Sequence, residues 1–347
     1  MDSQTRPLIG ISMGDPAGVG PEICVKSLTD PEMSRICRPV IVGHAGCLRD
    51  AAERVCRLPV TIRAVQTLDE ARFEQGQVNV LEAGSLPAGI CSSGQISAAA
   101  GRLAYDAVAR LIRLALDGDV AATVTAPINK EALRLAGCKH AGHTEIYADL
   151  TGTSRYTMLL AHDRLRIVHV STHVSLLEAC ARVKRDRVLD VIRLAWSGCR
   201  QLGIGSPRVA VAGLNPHAGE NGLFGREEIE TIGPAIQDAR QLGIDATGPW
   251  PPDTVFARAA AGHFDVVVAM YHDQGHIPMK MAGFDFAGGG SLRGINMTLG
   301  LPIVRVSVDH GTAFNIAGQN KASPDSLKDA IRLAAILAAG RPASGAI

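Results

Sequence analysis

Short apolar runs alternate with longer stretches of helical period along the whole chain. Leu8–Ser12, Pro39–Val42, Ala122–Thr125, Leu165–Val170, Arg208–Leu214, Asp265–Met270 and Ile303–Val308 are the short runs, rich in β-branched residues. Most are apolar at both alternating positions, so both faces must be covered, as in a parallel sheet flanked by helices. Between them, spacings of three and four predict helices over Ser97–Leu116, Asn129–Leu135, Arg185–Leu202, Glu227–Leu242 and Ser326–Ala339. Local signals agree with this reading. Pro21 and Glu22 open a helix after the Gly14–Gly20 loop. Asn129 caps the segment carrying Lys130 and Glu131, and Ser175 with Glu178 forms a capping box. Strand–helix alternation of this kind builds an α/β fold from βαβ units.

Length and composition narrow the class. A chain of 347 residues exceeds one ordinary core and suits two domains of roughly 100–200 residues. Aromatics make up 4% and the formal net charge is +1, with no basic run, which argues against a nucleic-acid partner. No apolar run approaches a membrane span, and the N-terminus lacks the apolar region of a signal peptide. A cytoplasmic location is therefore expected. Eight cysteines are scattered without C-x-x-C pairs, and free thiols in a reducing compartment are expected. The Gly/Ser-rich stretch Asp285–Gly294 reads as a mobile loop near a site.

Three of the eleven histidines stand at the carboxyl ends of predicted strands. His173 follows Leu165–Val170, His217 follows Arg208–Leu214, and His272 follows Asp265–Met270. In a parallel sheet those ends share one edge, where ligands bind. A single such histidine is more readily structural. Three in the same context point to a divalent cation with a coordination position left for substrate. Asp273 is placed to orient a neighbouring imidazole. His169 lies within its strand and reads as buried and structural. His276 and His310 stand in loops of site-like composition.

Other segments read anions. Gly14–Glu22 follows a strand and opens a helix, yet its spacing is neither G-x-G-x-x-G nor a P-loop, so it is a tight turn. Arg305 sits amid Ile303, Val304, Val306 and Val308. Burying it requires either a carboxylate partner or an anionic ligand.

Gly14–Glu22, Thr125–Lys130, Gly142–Glu145, Thr172-His173, Gly213–Glu220, Pro252–Thr254, Ala269–Gly275, Asn296–Pro302 and Ser307–Thr312 run in order along the chain. Together they resemble the 4-hydroxythreonine-4-phosphate dehydrogenase family of pyridoxal phosphate biosynthesis. The resemblance implies two α/β/α domains of the isocitrate/isopropylmalate dehydrogenase type with the active site in the interdomain cleft. The domains are expected at residues 1–135 with 297–347, and at 136–296. It implies His173, His217 and His272 as ligands of one divalent ion per subunit (zinc, magnesium or cobalt). It implies His143, Thr144, Lys280, Asn296 and Arg305 as substrate-binding residues, with Lys280 also taken here as the general base. NAD is the implied cofactor, with NADP as its alternative, and no residue is assigned to it. A homodimer with each metal site completed across the subunit interface is also implied.

The expected reaction is oxidation, with decarboxylation, of the C3 hydroxyl of 4-hydroxythreonine 4-phosphate or a close analogue. Two features resemble paralogues that act on D-threonate or D-erythronate 4-phosphate and yield dihydroxyacetone phosphate. One is the length of the segment containing Phe284–Arg293. The other is Val174-Ser175 after His173. Three histidines and a divalent ion also suit a metal-dependent hydrolase or lyase. A two-lobed solute-binding protein is the third class, disfavoured by the absent signal peptide and by the charged, metal-competent cleft.

Overall fold

The structure, a computed structural model, describes residues 6–285, 291–292 and 294–340. In chain order it begins with β1 (Leu8–Ser12), α1 (Gly20–Leu28), α2 (Pro31–Ile36), β2 (Arg38–Gly43) and α3 (Ala45–Asp50). Then come β3 (Thr61–Val65), β4 (Gln77–Glu82), α4 (Ala98–Leu116), β5 (Ala122–Thr125), α5 (Lys130–Leu135) and α6 (His143–Leu150). The middle holds β6 (Thr157–His162), β7 (Leu165–His169), α7 (Leu176–Arg182), α8 (Arg185–Gln201), β8 (Val209–Ala212), α9 (Gly233–Gln241), β9 (Ala246–Trp250), α10 (Pro252–Ala260) and β10 (Val266–Ala269). It ends with α11 (His272–Gly283), β11 (Phe284–Asp285), β12 (Ser291–Leu292), β13 (Ile295–Leu299), β14 (Arg305–Val308) and α12 (Asp325–Ala339).

The chain forms two compact units, Met1–Thr153 with Leu301–Ile347, and Ser154–Gly300. The first crossing thus falls after Thr153, where the sequence reading placed it at 135/136. The reason is packing: Ile146 and Tyr147 of α6 join Val108, Ile112, Leu133 and Ile303 in one buried cluster.

In the first unit the strand order is β3-β4-β2-β1-β5-β14, and every pair is parallel. The order of connection reverses between β1 and β5. Helix α4 shows why the sequence folds this way. Ala100, Gly101, Leu103, Ala104, Ala107, Val108, Leu111 and Ile112 are its buried residues, one apolar stripe at helical spacing. Leu111 and Ala107 meet Val40, Val42 and Leu81 of the sheet.

In the second unit the order is β13-β6-β7-β10-β8-β9. The pairs β7/β10, β10/β8 and β8/β9 are parallel, but β13/β6 and β6/β7 are antiparallel. The expectation of uniformly parallel strands fails there. Only Asp163 and Arg164 separate β6 from β7, and Asp163 adopts φ 49°, so the connection is a hairpin too short for a parallel crossover. Ile167, Ala210, Val267 and Ala269 pack with Val255 and Ala259 of α10 in the core of this unit.

Capping behaves as its chemistry dictates. The Ala132 amide donates to Asn129 Oδ1 at 2.8 Å, and the Glu178 amide to Ser175 Oγ at 3.2 Å. The predicted helix Glu227–Leu242 is divided into a π-helical turn, Glu228–Ile232, and α9. The ends of the Asp285–Gly294 stretch pair as β11 and β12, while 286–290 and 293 lie outside the described residues. The expectation of eight free thiols is corrected: Cys47 and Cys91 form a disulfide.

Candidate active site

The three strand-end histidines all belong to the second unit. His173 stands between β7 and the Ser175 cap of α7 and is exposed. His272 is the first residue of α11, at the end of β10. Their rings lie 5.7 Å apart, centroid to centroid. A cavity of about 510 Å³ opens over them, lined by Thr172, His173, Tyr271, His272 and Asp273 among others. His272 Nδ1 is bonded to Asp273 Oδ1 at 2.6 Å. With the proton on Nδ1, the Nε2 lone pair is left for a cation, and the carboxylate raises its basicity. The His272 ring also stacks on that of His276, with centroids 3.7 Å apart.

His217 is reached by a different device. After β8 the chain enters a turn, Pro216–Gly222, in which His217, Ala218, Gly219, Glu220 and Asn221 are all left-handed. A run of non-glycine residues there is strained and needs outside support. Glu228, almost fully buried, provides it. Its Oε1 accepts the amides of Leu214 and Asn215 at 2.7 and 2.8 Å, and its Oε2 accepts Asn215 Nδ2 at 3.0 Å. Buried Gln274 joins the two loops. Its Oε1 accepts the Met270 amide and its Nε2 donates to the Gly213 carbonyl, at 2.7 and 2.8 Å.

The sequence reading did not single out Glu228 or Gln274. A glutamate between Glu227 and Ile229 reads as a solvated helix face. Only the density of polar residues around Gln274 gave a signal.

Imidazole nitrogens suit a divalent cation, and His173 and His272 present two of them to one cavity, one ring fixed through its distal nitrogen by a carboxylate. Among the described residues, the structure does not bring the ligand atoms of His173, His217 and His272 all within 4.8 Å of one another. Among the described residues, only His44, Cys47 and Cys91 bring three metal-competent atoms within 4.8 Å of one another.

The remaining predicted residues divide between the units. Lys280 is half-buried in the last turn of α11. Asn296, on β13, donates its amide to Met158 Sδ at 2.6 Å. In the first unit, Arg305 opens β14 at 2% exposure. Its Nη2 donates to Thr125 Oγ1 at 3.0 Å and its guanidinium lies 5.6 Å from the centre of the Tyr147 ring. Burial pulls the guanidinium down to about 10. It stays a cation at neutral pH, suited to an anion. His143 and Thr144 begin α6 on the same unit. His143 Nε2 is enclosed with no hydrogen-bond partner among the described residues, and burial, reinforced by the Arg305 charge, holds this imidazole well below its usual range. A neutral His143 beside a cationic Arg305 can donate to an anion without adding charge.

His169 is buried in β7 as expected, with neither ring nitrogen hydrogen-bonded to any of the described residues. Burial, then the neighbouring imidazoles of His276 and His272, push it down to about 3. His310 follows β14 and its Nδ1 lies 3.0 Å from the Gly311 carbonyl oxygen.

Residues 35–334 match the family described as pyridoxal phosphate biosynthetic protein PdxA. The chain belongs to this family. As a PdxA-family member it is an oxidoreductase, a dehydrogenase by its relatives. It is 46% identical over 340 residues to D-threonate 4-phosphate dehydrogenase of Cupriavidus necator, covering 98% of this chain and 99% of that one. It is 45% identical over 340 residues to 4-hydroxythreonine-4-phosphate dehydrogenase of Desulforapulum autotrophicum, covering 97% of each. The crystal structure of 4-hydroxythreonine-4-phosphate dehydrogenase from Klebsiella pneumoniae superposes with a TM-score of 0.85 at 45% identity, over 96% of this chain and 98% of that one. Among the described residues no helix is long and apolar enough to cross a membrane.

Proposed function

We propose that this PdxA-family enzyme oxidises the C3 hydroxyl of a four-carbon acid 4-phosphate, with loss of C1 as carbon dioxide. The observation that carries the reading is the His173–His272 pair with Asp273 fixed on Nδ1, set in a chain of this family. Of the two substrates borne by its relatives' names, we favour D-threonate 4-phosphate. Val174-Ser175 and the long segment around Phe284–Arg293 support it, as does the similarity to the Cupriavidus necator enzyme.

His173, His217 and His272 would hold the divalent ion, which we take to be zinc, magnesium or cobalt. Bound there, it supplies Lewis-acid polarisation of the substrate hydroxyl, while nicotinamide (NAD, with NADP as the alternative) accepts the hydride. Lys280 takes the hydroxyl proton. Arg305, His143, Thr144 and Asn296 bind the phosphate and carboxylate ends; cationic Arg305 supplies the charge and His143 a neutral donor. The product is a β-keto acid. As carbon dioxide leaves, the C1–C2 electron pair is delocalised into the ketone, and C2 then takes back the proton that Lys280 had accepted. D-Threonate 4-phosphate yields dihydroxyacetone phosphate, and 4-hydroxythreonine 4-phosphate yields the corresponding aminoketone phosphate.

A homodimer completes the ion's ligand set. An exposed apolar side chain lies further along the chain from each histidine: Leu177 at 85%, Leu223 at 72% and Met281 at 73%. Should these side chains gather into one apolar surface in the assembled protein, a partner would cover it. A second copy supplies the same surface, as closed two-fold assembly requires.

The test is substrate-dependent formation of reduced nicotinamide, abolished by a chelator and restored by divalent metal. Product release from the phosphorylated acid without any nicotinamide would instead establish the hydrolase or lyase class.

A further inference from the structure

The first unit carries a second cluster of metal-competent side chains, far along the sequence from the three histidines. His44 follows β2, Cys47 lies in the first turn of α3, and Cys91 stands on the connection between β4 and α4. Cys47 and Cys91 are joined as a disulfide across 44 residues of sequence. One ligand atom from each of the three lies within 4.8 Å of the others.

Backbone contacts hold these residues together independently of the sulfur–sulfur bond. The Cys47 amide donates to His44 Nδ1 at 3.2 Å, so that lone pair is directed at the first turn of α3. The Ala45 amide donates to Glu82 Oε1 at 3.1 Å, tying the start of α3 to the end of β4. On the other side, the amides of Ser92 and Gly94 donate to the carbonyls of Pro16 and Ala17, each at 2.8 Å. The segment bearing Cys91 is thereby fixed to the turn after β1. Opening the disulfide leaves its two sulfurs as neighbours, with an imidazole beside them.

Two thiolates and one imidazole, with a position left for water, form a donor set that suits zinc. We propose that His44, Cys47 and Cys91 form a redox-gated site for a thiophilic divalent cation of the zinc class. In the oxidised chain both sulfurs are committed to each other. A dithiol reductant opens the pair: it transfers two electrons, leaves as its own disulfide, and each protein sulfur gains a proton. Metal binding then releases both protons, and the two thiolates and one His44 nitrogen donate to the ion. A small-molecule disulfide reverses the cycle. It accepts the two electrons as its thiols form, the Cys47–Cys91 bond closes, and the cation is expelled.

The test counts zinc bound by the full chain, through competition with a chromophoric chelator. One sample is reduced with a dithiol and freed of it, and the other is kept oxidised. The reduced chain is expected to bind one equivalent more than the oxidised chain. Cys91→Ser is expected to lose that equivalent, while Cys180→Ser, which removes an exposed thiol elsewhere, keeps it. Amide exchange at Ser92 and Gly94 is expected to be slower in reduced chain with zinc than without. Equal uptake by reduced and oxidised chain overturns the proposal, as does a Cys91→Ser variant that retains the extra equivalent. The first comparison uses the unaltered chain, so it holds even where a variant folds poorly. Because zinc on His173, His217 and His272 is common to both redox states, the difference between them does not depend on that reading.

Discussion

Asp15 stands in the turn after β1, shielded from solvent, and its Oδ1 accepts the Ala17 amide at 2.9 Å. Burial raises this carboxyl from the usual range to about 6, against the lowering effect of its backbone hydrogen bonds. The folded state therefore holds the proton more tightly than the unfolded chain. That contribution to stability is complete below the unfolded pKa, near 4, and is lost as pH rises through about 6. Asp15→Asn keeps the Oδ1 acceptor and cannot ionise. Urea unfolding between these pH values should show the parent losing stability relative to the variant; parallel slopes would rule the account out. Glu228 offers a second case. Its carboxylate accepts three N–H groups at the base of the strained His217 turn. Glu228→Gln turns one acceptor into a donor facing Asn215, and should weaken metal binding about 10–100-fold, as loss of a ligand's outer support does. Metal titration checks this, and unchanged affinity refutes it. At this scale the sequence reading reached the groups with obvious chemistry, His173 and His272 among them. It passed over Glu228, which folds back on the turn 13 and 14 residues before it, and Gln274, whose role exists only because two loops distant in sequence meet.

At the scale of elements, the parallel strands were legible because they are covered on both faces and so lack polar alternation. Strand β1 matches its predicted span, Leu8–Ser12, and β5 its own, Ala122–Thr125. Strand β3 was hidden, since Thr61–Val65 includes Arg63 and is mostly open to solvent. Helix α11 was hidden too. Gly275 and Pro278 oppose a helix, yet its buried residues, Gln274, Gly275, Met279 and Gly283, anchor it to the unit. Gly275 is there because nothing larger fits. A Cβ at that position would lie 2.4 Å from His169 Nε2 and 2.7 Å from Ile167 Cγ2. Gly275→Ala should cost about 1–3 kcal/mol through overpacking and displace His272 at the start of α11. Adding His169→Ala should recover part of that loss, because it removes one of the two obstacles. Thermal unfolding of the single and double variants reads this directly; a single variant as stable as the parent would contradict it.

For the whole molecule, the ligand-bearing loops and their exposed apolar neighbours make assembly part of the proposed site. Ala variants of His173, His217 and His272 should each fold and each lose turnover. If two copies share each metal site, mixing these inactive variants in pairs should revive at least one combination. Half the dimers in an equal mixture are mixed, each with one intact site, so recovery should approach about a quarter of parental activity. No recovery in any pair would place all three ligands on one chain. Composition could indicate two domains and a small-molecule enzyme, but no sequence pattern marks which surface a second copy would cover.

The central claim is the oxidation of a secondary alcohol on a phosphorylated four-carbon acid. Its most direct test is the formation of reduced nicotinamide by the metal-loaded enzyme, with D-threonate, D-erythronate and 4-hydroxythreonine 4-phosphates compared side by side. The predicted result is metal-dependent reduction of NAD, greatest with D-threonate 4-phosphate and accompanied by dihydroxyacetone phosphate. Absence of nicotinamide reduction with all three substrates, under either NAD or NADP and with zinc, magnesium or cobalt present, would contradict it.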